Sequence, residues 1–138
     1  MDQDIRLAIV VNPLLPLGIL ANTIGTLSIG LGARFPSLAA RQLTDRQGLT
    51  IDISADRPVP VLQAEADLIR QIMLKAMLEP KERAVVPFPA FARTLHAFSD
   101  YEAAFENCDL TAEPIDGLGL AGPSKWVKSI TGSLRLLR

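Results

Sequence analysis

From residue 7 to residue 33 the chain carries no charged side chain, and this run constrains the fold more than any other feature. A run of this length could cross a bilayer as one helix. It is interrupted, however, by Asn12, Pro13, Pro16 and Asn22 and by several Gly, Ser and Thr residues. A buried strand followed by a buried helix explains this pattern better, so we predict that the chain has no membrane span.

The spacing of apolar residues locates both elements of this run. Apart from Arg6, residues 5–11 are apolar and rich in β-branched side chains, and Asn12 and Pro13 end them, which predicts a central strand. A helix is predicted over residues 18–31, where large apolar side chains recur at helical spacing. The large residues are Leu20, Ile24, Leu27 and Leu31, and a parallel stripe of small ones comprises Ala21, Gly25, Ser28 and Gly32. We expect the small stripe to let this helix approach the sheet closely.

The middle of the chain alternates short extended pieces with one strong helix. Residues 34–58 are mixed, and Asp45 to Gly48 form a plausible turn between short extended pieces. A strand at 59–62 precedes a helix predicted over 65–79, which Pro80 should end. The residues of that helix expected to face inward are Leu68, Ile69, Ile72, Met73, Ala76 and Met77.

The last third of the chain continues the alternation. A strand over 84–88 contains a proline, which indicates a sheet edge or a strand end. Ser99 and Glu102 have the spacing of a capping box, with Phe98 as the preceding staple residue, so a helix is predicted over 100–107. A final strand at 117–121 leads to Gly122 and Pro123, which open the last helix.

Strands and helices that alternate in this way predict one α/β domain over residues 1–138, a mixed sheet with helices on both faces. The composition fits such a domain, since 49% of residues are hydrophobic and 21% are charged. Aromatic residues are few, so Leu, Ile, Val and Ala should build most of the core. The larger core residues are expected to be Phe88, Phe91, Phe98, Phe105 and Trp126.

The balance of charge bears on partners and compartment. The formal net charge of −1 does not favour binding of nucleic acid or of an anionic membrane. The lone Cys108 excludes an intramolecular disulfide and a multi-cysteine zinc site, and it fits a reducing compartment. The cytoplasm is therefore the expected location.

A search for chemistry finds mostly absences. The sequence has no phosphate-binding loop and no nucleophile elbow, and one histidine cannot supply a His-rich metal site, so we predict no cofactor and no metal. His96 is interpreted as a loop or surface residue rather than a general base, and Cys108 as a packed residue rather than a reactive thiol. Asp116 is interpreted as part of a turn before Gly117 rather than as a catalytic carboxylate. Lys125 and Lys128 on the last helix could attract an anion, although exposed lysines on a solvated face are the more ordinary interpretation.

Both ends of the chain resemble a known fold. The segment from Gly119 to Pro123, its helix, and Thr131-Gly132-Ser133-Leu134-Arg135-Leu136-Leu137 are similar to the carboxyl end of type II peptidyl-tRNA hydrolases. Ile9 to Asn12, followed by Gly18 and Ala21, is similar to that family's opening strand and glycine-led helix. The chain resembles still more closely, from its Val-Asn-Pro start to its Thr-Gly-Ser-Leu end, a small bacterial family known as domain of unknown function 2000. The resemblance implies a type II peptidyl-tRNA hydrolase-like fold and a homodimer.

The same resemblance implies that the hydrolase chemistry is missing. The hydrolase family's lysine falls on Ile19, its glutamine near Thr23 and its histidine near Thr26. Its Asp-x-Gly-x-Thr segment has no counterpart between Val85 and Pro114, where a helix is predicted instead. Peptidyl-tRNA hydrolysis is therefore not expected, because none of these side chains can do the original work.

Two functions remain open from the sequence. The leading hypothesis is a module that binds a small molecule, for which a small anion is one candidate, or a partner chain. The alternative is an enzyme of undetermined, hydrolase-like class that uses a cleft at the carboxyl edge of the sheet. In either case we predict a site where the loop after residue 12 faces the start of the last helix, at the carboxyl ends of the first and last strands. The candidate residues are Asn12, Gly18, Asn22, Thr23, Gly122, Pro123 and Lys125.

Overall fold

Strand β1 (Ile5–Val11) lies at the centre of a five-stranded sheet because its side chains are apolar on both faces. A computed structural model describes residues 4–79 and 82–138. The other strands are β2 (Gln42–Thr44), β3 (Thr50–Asp52), β4 (Val61–Gln63), β5 (Ala84–Pro89), β6 (Ile115–Pro123) and β7 (Arg135–Leu136). The helices are α1 (Leu17–Arg34), α2 (Ala66–Met77), α3 (Phe98–Glu106) and α4 (Ser124–Thr131), with short 3-10 helices at Pro36–Leu38 and Ala90–Thr94.

The main sheet has the strand order β5-β6-β1-β4-β7, and β2 and β3 form a separate hairpin. Strand β1 runs parallel to β4 and antiparallel to β6, while β5 and β7 pair antiparallel at the two edges. The sheet is therefore mixed, as predicted. The edge position of β5 also agrees with its prolines, since a proline cannot donate a hydrogen bond to a neighbouring strand.

Alternating side chains of β1 feed two apolar layers. Leu7, Ile9 and Val11 pack on the side of α1, and Ala8 and Val10 pack on the side of α2 and α4. Helices thus cover both faces of the sheet, which confirms the predicted α/β class. Among the helices of residues 4–79 and 82–138, none combines the length and the apolar character that a bilayer crossing requires.

Helix α1 approaches the sheet closely, but not through the stripe of small residues. Ala21, Gly25 and Ser28 are exposed, and a Cβ at Gly25 or Gly32 would meet nothing within 4 Å. The close approach depends instead on a glycine of the sheet, because a Cβ at Gly117 in β6 would lie 2.6 Å from Thr23 Cγ2 of α1. The expectation for the small stripe is therefore wrong: the large residues fill the interface and the small ones face outward.

The inward face of α2 is narrower than predicted. Ile69, Ile72 and Met73 are buried with Ala76, whereas Leu68 and Met77 are exposed. Leu68 and Met77 flank the buried stripe of α2 and stay exposed, because only the central stripe of the helix contacts the sheet. Pro80, predicted to end this helix, lies outside the described residues.

Helix α3 begins earlier than predicted and has no capping box. The backbone N–H groups of Asp100 and Tyr101 both donate to the Ala97 carbonyl, so the helix has already started at Ser99. None of the residues of α3 is buried. Of the five aromatic residues predicted for the core, only Trp126 is buried, so that prediction is mostly wrong.

The carboxyl end extends beyond the predicted last strand. Strand β6 runs two residues past 121, so Pro123 ends the strand and precedes α4 instead of opening it. Helix α4 ends at Thr131, with Gly132 at the C-cap position, and the short strand β7 then pairs with β4. The predicted turn at 45–48 is confirmed, with Asp45 Oδ1 accepting from the Gln47 N–H at 2.8 Å and Gly48 at a φ of +85°.

Candidate functional site: a cleft between α1 and α3

A cleft of about 730 Å³ opens between the first half of α1 and the segment that joins β5 to β6. We call it the α1–α3 cleft. Helix α1 supplies one wall, and the other is built from β5, the 3-10 helix Ala90–Thr94 and the start of α3. The lining residues that bear on its chemistry are Gly18, Ile19, Asn22, Thr26, Phe88, Arg93, His96, Phe98 and Tyr101. Its volume is within the range of small-molecule sites.

Aromatic rings form the outer wall. The Tyr101 ring lies 5.7 Å from that of Phe91, 6.0 Å from that of Phe98 and 6.0 Å from that of Phe105, measured between centroids. Phe98 is 71% exposed although it borders the cleft. Burial raises the pKa of the Tyr101 phenol above its ordinary value, and nearby Cys108 adds to this effect. The wall therefore offers flat apolar surfaces together with a neutral hydroxyl.

A buried ion pair anchors the base of the same wall. Asp116, only 1% exposed, accepts hydrogen bonds from two nitrogens of the Arg93 guanidinium, Nε to Oδ2 and Nη2 to Oδ1. The second of these bonds is 2.5 Å long. The side chain of Arg93 remains 39% exposed and borders the cleft. The hydrogen bonding of Arg93 to Asp116 is the main cause that raises the pKa of Arg93, so the guanidinium stays charged.

The position of Asp116 comes from an irregularity in the sheet. The pairing of β5 with β6 shifts register between Phe88 and Pro89, opposite Gly117 and Ile115. Asp116 lies in this irregularity, inside β6 and not in the predicted turn. The turn interpretation is therefore wrong, since the carboxylate is buried and its partner is an arginine 23 residues earlier in the chain.

The α1 wall is polar only at its exposed turns. Asn22 and Thr26 border the cleft, and the Thr26 hydroxyl donates to the Thr23 carbonyl at 3.1 Å. The Asn22 amide makes no hydrogen bond within the described residues, so it is free to contact a ligand. Thr23 is fully buried, and its hydroxyl donates to the Ile19 carbonyl at 2.8 Å. Thr23 therefore supports the wall from behind instead of lining it.

The cleft has few groups suited to covalent chemistry. His96 is exposed at its border, where its imidazole can donate or accept a hydrogen bond. The cleft-lining residues within the described chain include no carboxylate and no thiol. Nor do any three His, Cys, Asp or Glu side chains of the described residues come close enough to hold a metal ion. Cys108 lies outside the cleft, and burial foremost, with Glu113 and Asp109 nearby, raises the pKa of its thiol.

The predicted site residues do not form one site. Strands β1 and β6 are antiparallel, so Val11 pairs with Gly117 and Ile5 pairs with Pro123. The carboxyl ends of these two strands therefore lie at opposite ends of the sheet, about 20 Å apart along β1. The predicted encounter of the loop after residue 12 with the last helix is wrong, because it assumed that the two strands point the same way.

Each predicted residue has a clear position. Gly18 and Asn22 border the α1–α3 cleft, and Asn12 lies at the same end of the sheet. The Asn12 Oδ1 accepts from the Leu14 N–H at 3.0 Å and so closes a turn. At the other end, a Cβ on Gly122 would lie 2.8 Å from the Trp126 ring. Pro123 and the exposed Lys125 flank this packed glycine and do not border the cleft.

Arg93 and Tyr101 are not among the predicted site residues, and Phe98 is predicted to lie in the core. A signal was present, because five of the seven aromatic residues fall within positions 88–105. Such clustering in a segment without a long apolar stripe is more typical of a partly exposed wall than of a core. The pairing of Arg93 with Asp116 left no comparable signal, since it depends on the sheet irregularity.

A solved structure shares this fold. The chain is similar to a solved protein of unknown function from Agrobacterium tumefaciens strain C58, with a TM-score of 0.88 and 16% sequence identity. The likeness covers 96% of this chain and 97% of the other. A search of the curated proteins gives no match. A family model described as protein of unknown function (DUF2000) matches residues 5–138, and the chain therefore belongs to this family.

Proposed function

We propose that the protein is a binding module whose α1–α3 cleft takes a small, flat, largely apolar molecule. The observation that carries this proposal is the aromatic wall around Tyr101, which leaves Phe98 71% exposed beside a cleft of about 730 Å³. An apolar ring of this size gains roughly 1.5–3 kcal/mol when it is buried, so its exposure next to a concave surface favours a bound partner molecule.

The polar groups of the cleft support a small molecule as the ligand. Asn22 offers an amide without a partner among the described residues, and Arg93 and His96 lie on the facing wall. A few directed polar groups in a mainly apolar cleft are typical of small-molecule sites, where they fix the orientation of the ligand.

The type II peptidyl-tRNA hydrolase-like fold remains part of the proposal. Ile19 and Thr26, onto which the resemblance places the hydrolase lysine and histidine, both border the α1–α3 cleft. The segment without a hydrolase counterpart supplies Arg93, His96 and Tyr101 from the opposite wall. We infer that the position of an ancestral active site is kept, while an apolar side chain and a new aromatic wall have changed what it accepts.

An enzyme of undetermined class is the second candidate, and the position of His96 favours it. A general base needs a nucleophile or a reacting proton within reach. The cleft-lining part of the described chain offers only the hydroxyls of Thr26 and Tyr101, of which the first already donates to a carbonyl. Binding without chemistry is therefore the better supported proposal.

Peptidyl-tRNA hydrolysis is not expected. Ile19 is apolar where the hydrolases place a lysine, so the α1 wall of the cleft lacks the positive charge that the hydrolases have at this position. Purified protein should leave peptidyl-tRNA intact in an assay that includes an active type II hydrolase. Turnover within about tenfold of that hydrolase, a difference of only about 1.4 kcal/mol in the barrier, would contradict the prediction.

We also propose that the protein forms a homodimer. The outward face of α1 supports this, because Leu17 and Ile29 are exposed there and no charged residue occurs between residues 7 and 33. Light scattering should give twice 14.9 kDa. Gly25→Lys should shift the protein to the monomer, since a side chain at Gly25 fits the monomer without contact. Gln71→Lys on the exposed side of α2 is the control, and a wild-type monomer at high concentration would contradict the proposal.

The binding proposal is tested by blocking the cleft. Asn22→Trp places a large ring at its border, whereas Gln71→Trp places the same ring on an exposed position of α2 that does not border it. Saturation-transfer NMR with 2-naphthamide and quinoline should show binding to the wild type and to Gln71→Trp. Signals from Asn22→Trp should fall at least about tenfold, the equivalent of about 1.4 kcal/mol. Equal signals from both variants would refute the site.

A further inference from the structure

The α1–α3 cleft combines flat apolar surfaces with one cationic group of fixed orientation. Tyr101 and Phe98 present rings with an interplanar angle of 26°, and Arg93 borders the same cleft. The two nitrogens Nε and Nη2 of Arg93 are bound to Asp116, while Nη1 has no hydrogen-bond partner among the described residues. A guanidinium held on one edge leaves its other donors for a ligand.

We propose that the cleft selects aromatic molecules that carry a carboxylate, with Arg93 as the group that binds the carboxylate and Asp116 as the residue that positions Arg93. This inference rests on the proposed binding function and adds the chemical class of the ligand. The aromatic wall takes the ring, and Nη1, which has no partner among the described residues, donates to a carboxylate oxygen.

The charges around the cleft favour an anion over a cation. Asp116, although negative, is 1% exposed and lies behind the guanidinium, so a ligand meets the positive end of the pair. The residues that border the cleft in the described chain include no Asp or Glu that would repel a carboxylate. Asn22 on the facing wall and His96, which borders the same cleft, add further hydrogen-bonding groups.

The position of the pair also favours a role in recognition over one in stability. A buried ion pair is weak support for a fold, since its desolvation offsets much of its attraction. This pair uses a fully buried carboxylate to hold an arginine whose side chain is 39% exposed at the border of a cleft. A fixed fork of donors loses little freedom when it binds a planar carboxylate.

The test compares two probes that differ in charge and not in shape, 2-naphthoate and 2-naphthamide. Isothermal titration of the wild type should give at least about fivefold tighter binding for 2-naphthoate, the difference between a charge-assisted and a neutral hydrogen bond. Arg93→Lys should abolish this preference, mainly by weakening the binding of 2-naphthoate, because a single ammonium will pair with Asp116. Arg34→Lys, on an exposed arginine of α1, should keep the preference.

A second variant guards against misfolding. The double substitution Arg93→Gln with Asp116→Asn removes both charges and leaves no buried ion unpaired, and it should also lose the preference. Equal binding of both probes to the wild type, or an unchanged preference in Arg93→Lys, would overturn the ligand class and leave the binding function standing. Binding of both probes that Asn22→Trp does not weaken would instead overturn the cleft as the site.

Discussion

The two ends of strand β6 differ in what the neighbouring side chains leave open. Near its start, buried Asp116 forms an ion pair with the partly exposed Arg93, and aromatic rings line one wall of a cleft. At its end, Gly122 packs against Trp126, which is 7% exposed, and the Arg83 guanidinium lies 4.9 Å from the centre of the Trp126 ring. Similar residue types are therefore arranged as an open site at one end and as closed packing at the other.

This difference shows why residue types alone do not locate a site. Both ends carry a glycine in β6, an arginine and aromatic rings. The two ends differ in whether other side chains cover the aromatic ring. They also differ in whether the arginine contacts a carboxylate, as Arg93 does, or the face of a ring, as Arg83 does. The α1–α3 cleft is the functional candidate because its apolar surface is left uncovered.

The largest expected effect comes from the buried charge at the open end. Arg93→Ala should lower the free energy of unfolding by about 3 kcal/mol, because it leaves the Asp116 carboxylate buried without its partner. This loss is at the lower end of the range for breaking a buried ion pair, because water can reach the Arg93 side chain, which is 39% exposed. Urea denaturation measures it, with Lys125→Ala at the closed end as a control that should change stability by less than about 0.5 kcal/mol. A loss below about 1 kcal/mol in Arg93→Ala would contradict the described pairing.

The two glycines of β6 give the next comparison. An added Cβ would lie 2.6 Å from Thr23 at position 117 and 2.8 Å from Trp126 at position 122, so either Gly→Ala change should cost about 1–3 kcal/mol. Only Gly117→Ala, which displaces α1, should also weaken binding of 2-naphthamide.

Gly25→Ala is the matched control for these two changes. Position 25 is in an exposed part of α1 with nothing within 4 Å of the added Cβ, so the helix should gain up to about 1 kcal/mol. Thermal unfolding ranks the three variants. If Gly117→Ala is as stable as the wild type, the close approach of α1 to β6 is wrong.

A smaller effect is expected from pH at the open end. Burial raises the pKa of Tyr101 above the ordinary value of 10.0, so the folded protein keeps this proton where the unfolded chain loses it. Stability should therefore fall as pH rises above 10, and Tyr101→Phe should fall less steeply. Because the chain has one tyrosine, phenolate absorbance reports Tyr101 alone. A phenol that titrates at or below the ordinary value in the folded protein would contradict its burial.

Much of the fold could be predicted from the sequence because local pattern and burial agree. The bounds predicted for β1 and α1 from the uncharged run lie close to the observed ones. The proline in residues 84–88 correctly indicated an edge strand. The pattern does not encode strand direction, however. Treating β1 and β6 as if their carboxyl ends met placed Asn12 and Lys125 in one site, although they lie at opposite ends of the sheet.

The candidate site was only partly predictable for a related reason. Gly18 and Asn22 were identified because they follow the first strand, and both border the cleft. Arg93 and Asp116 come together through the register shift of β5 and β6, which no short motif records. The capping-box pattern at Ser99 failed because α3 starts two residues earlier than predicted, at Phe98, with Ala97 at the N-cap position.

Chemical-shift mapping tests most directly which end of the sheet binds ligands. Labelled protein titrated with 2-naphthoate and 2-naphthamide should show its largest amide shifts at Gly18, Asn22, Thr26 and His96, which border the α1–α3 cleft. The amides of Gly122 and Lys125 should stay unchanged. Largest shifts at Gly122 and Lys125, with none at Asn22 or His96, would contradict the account.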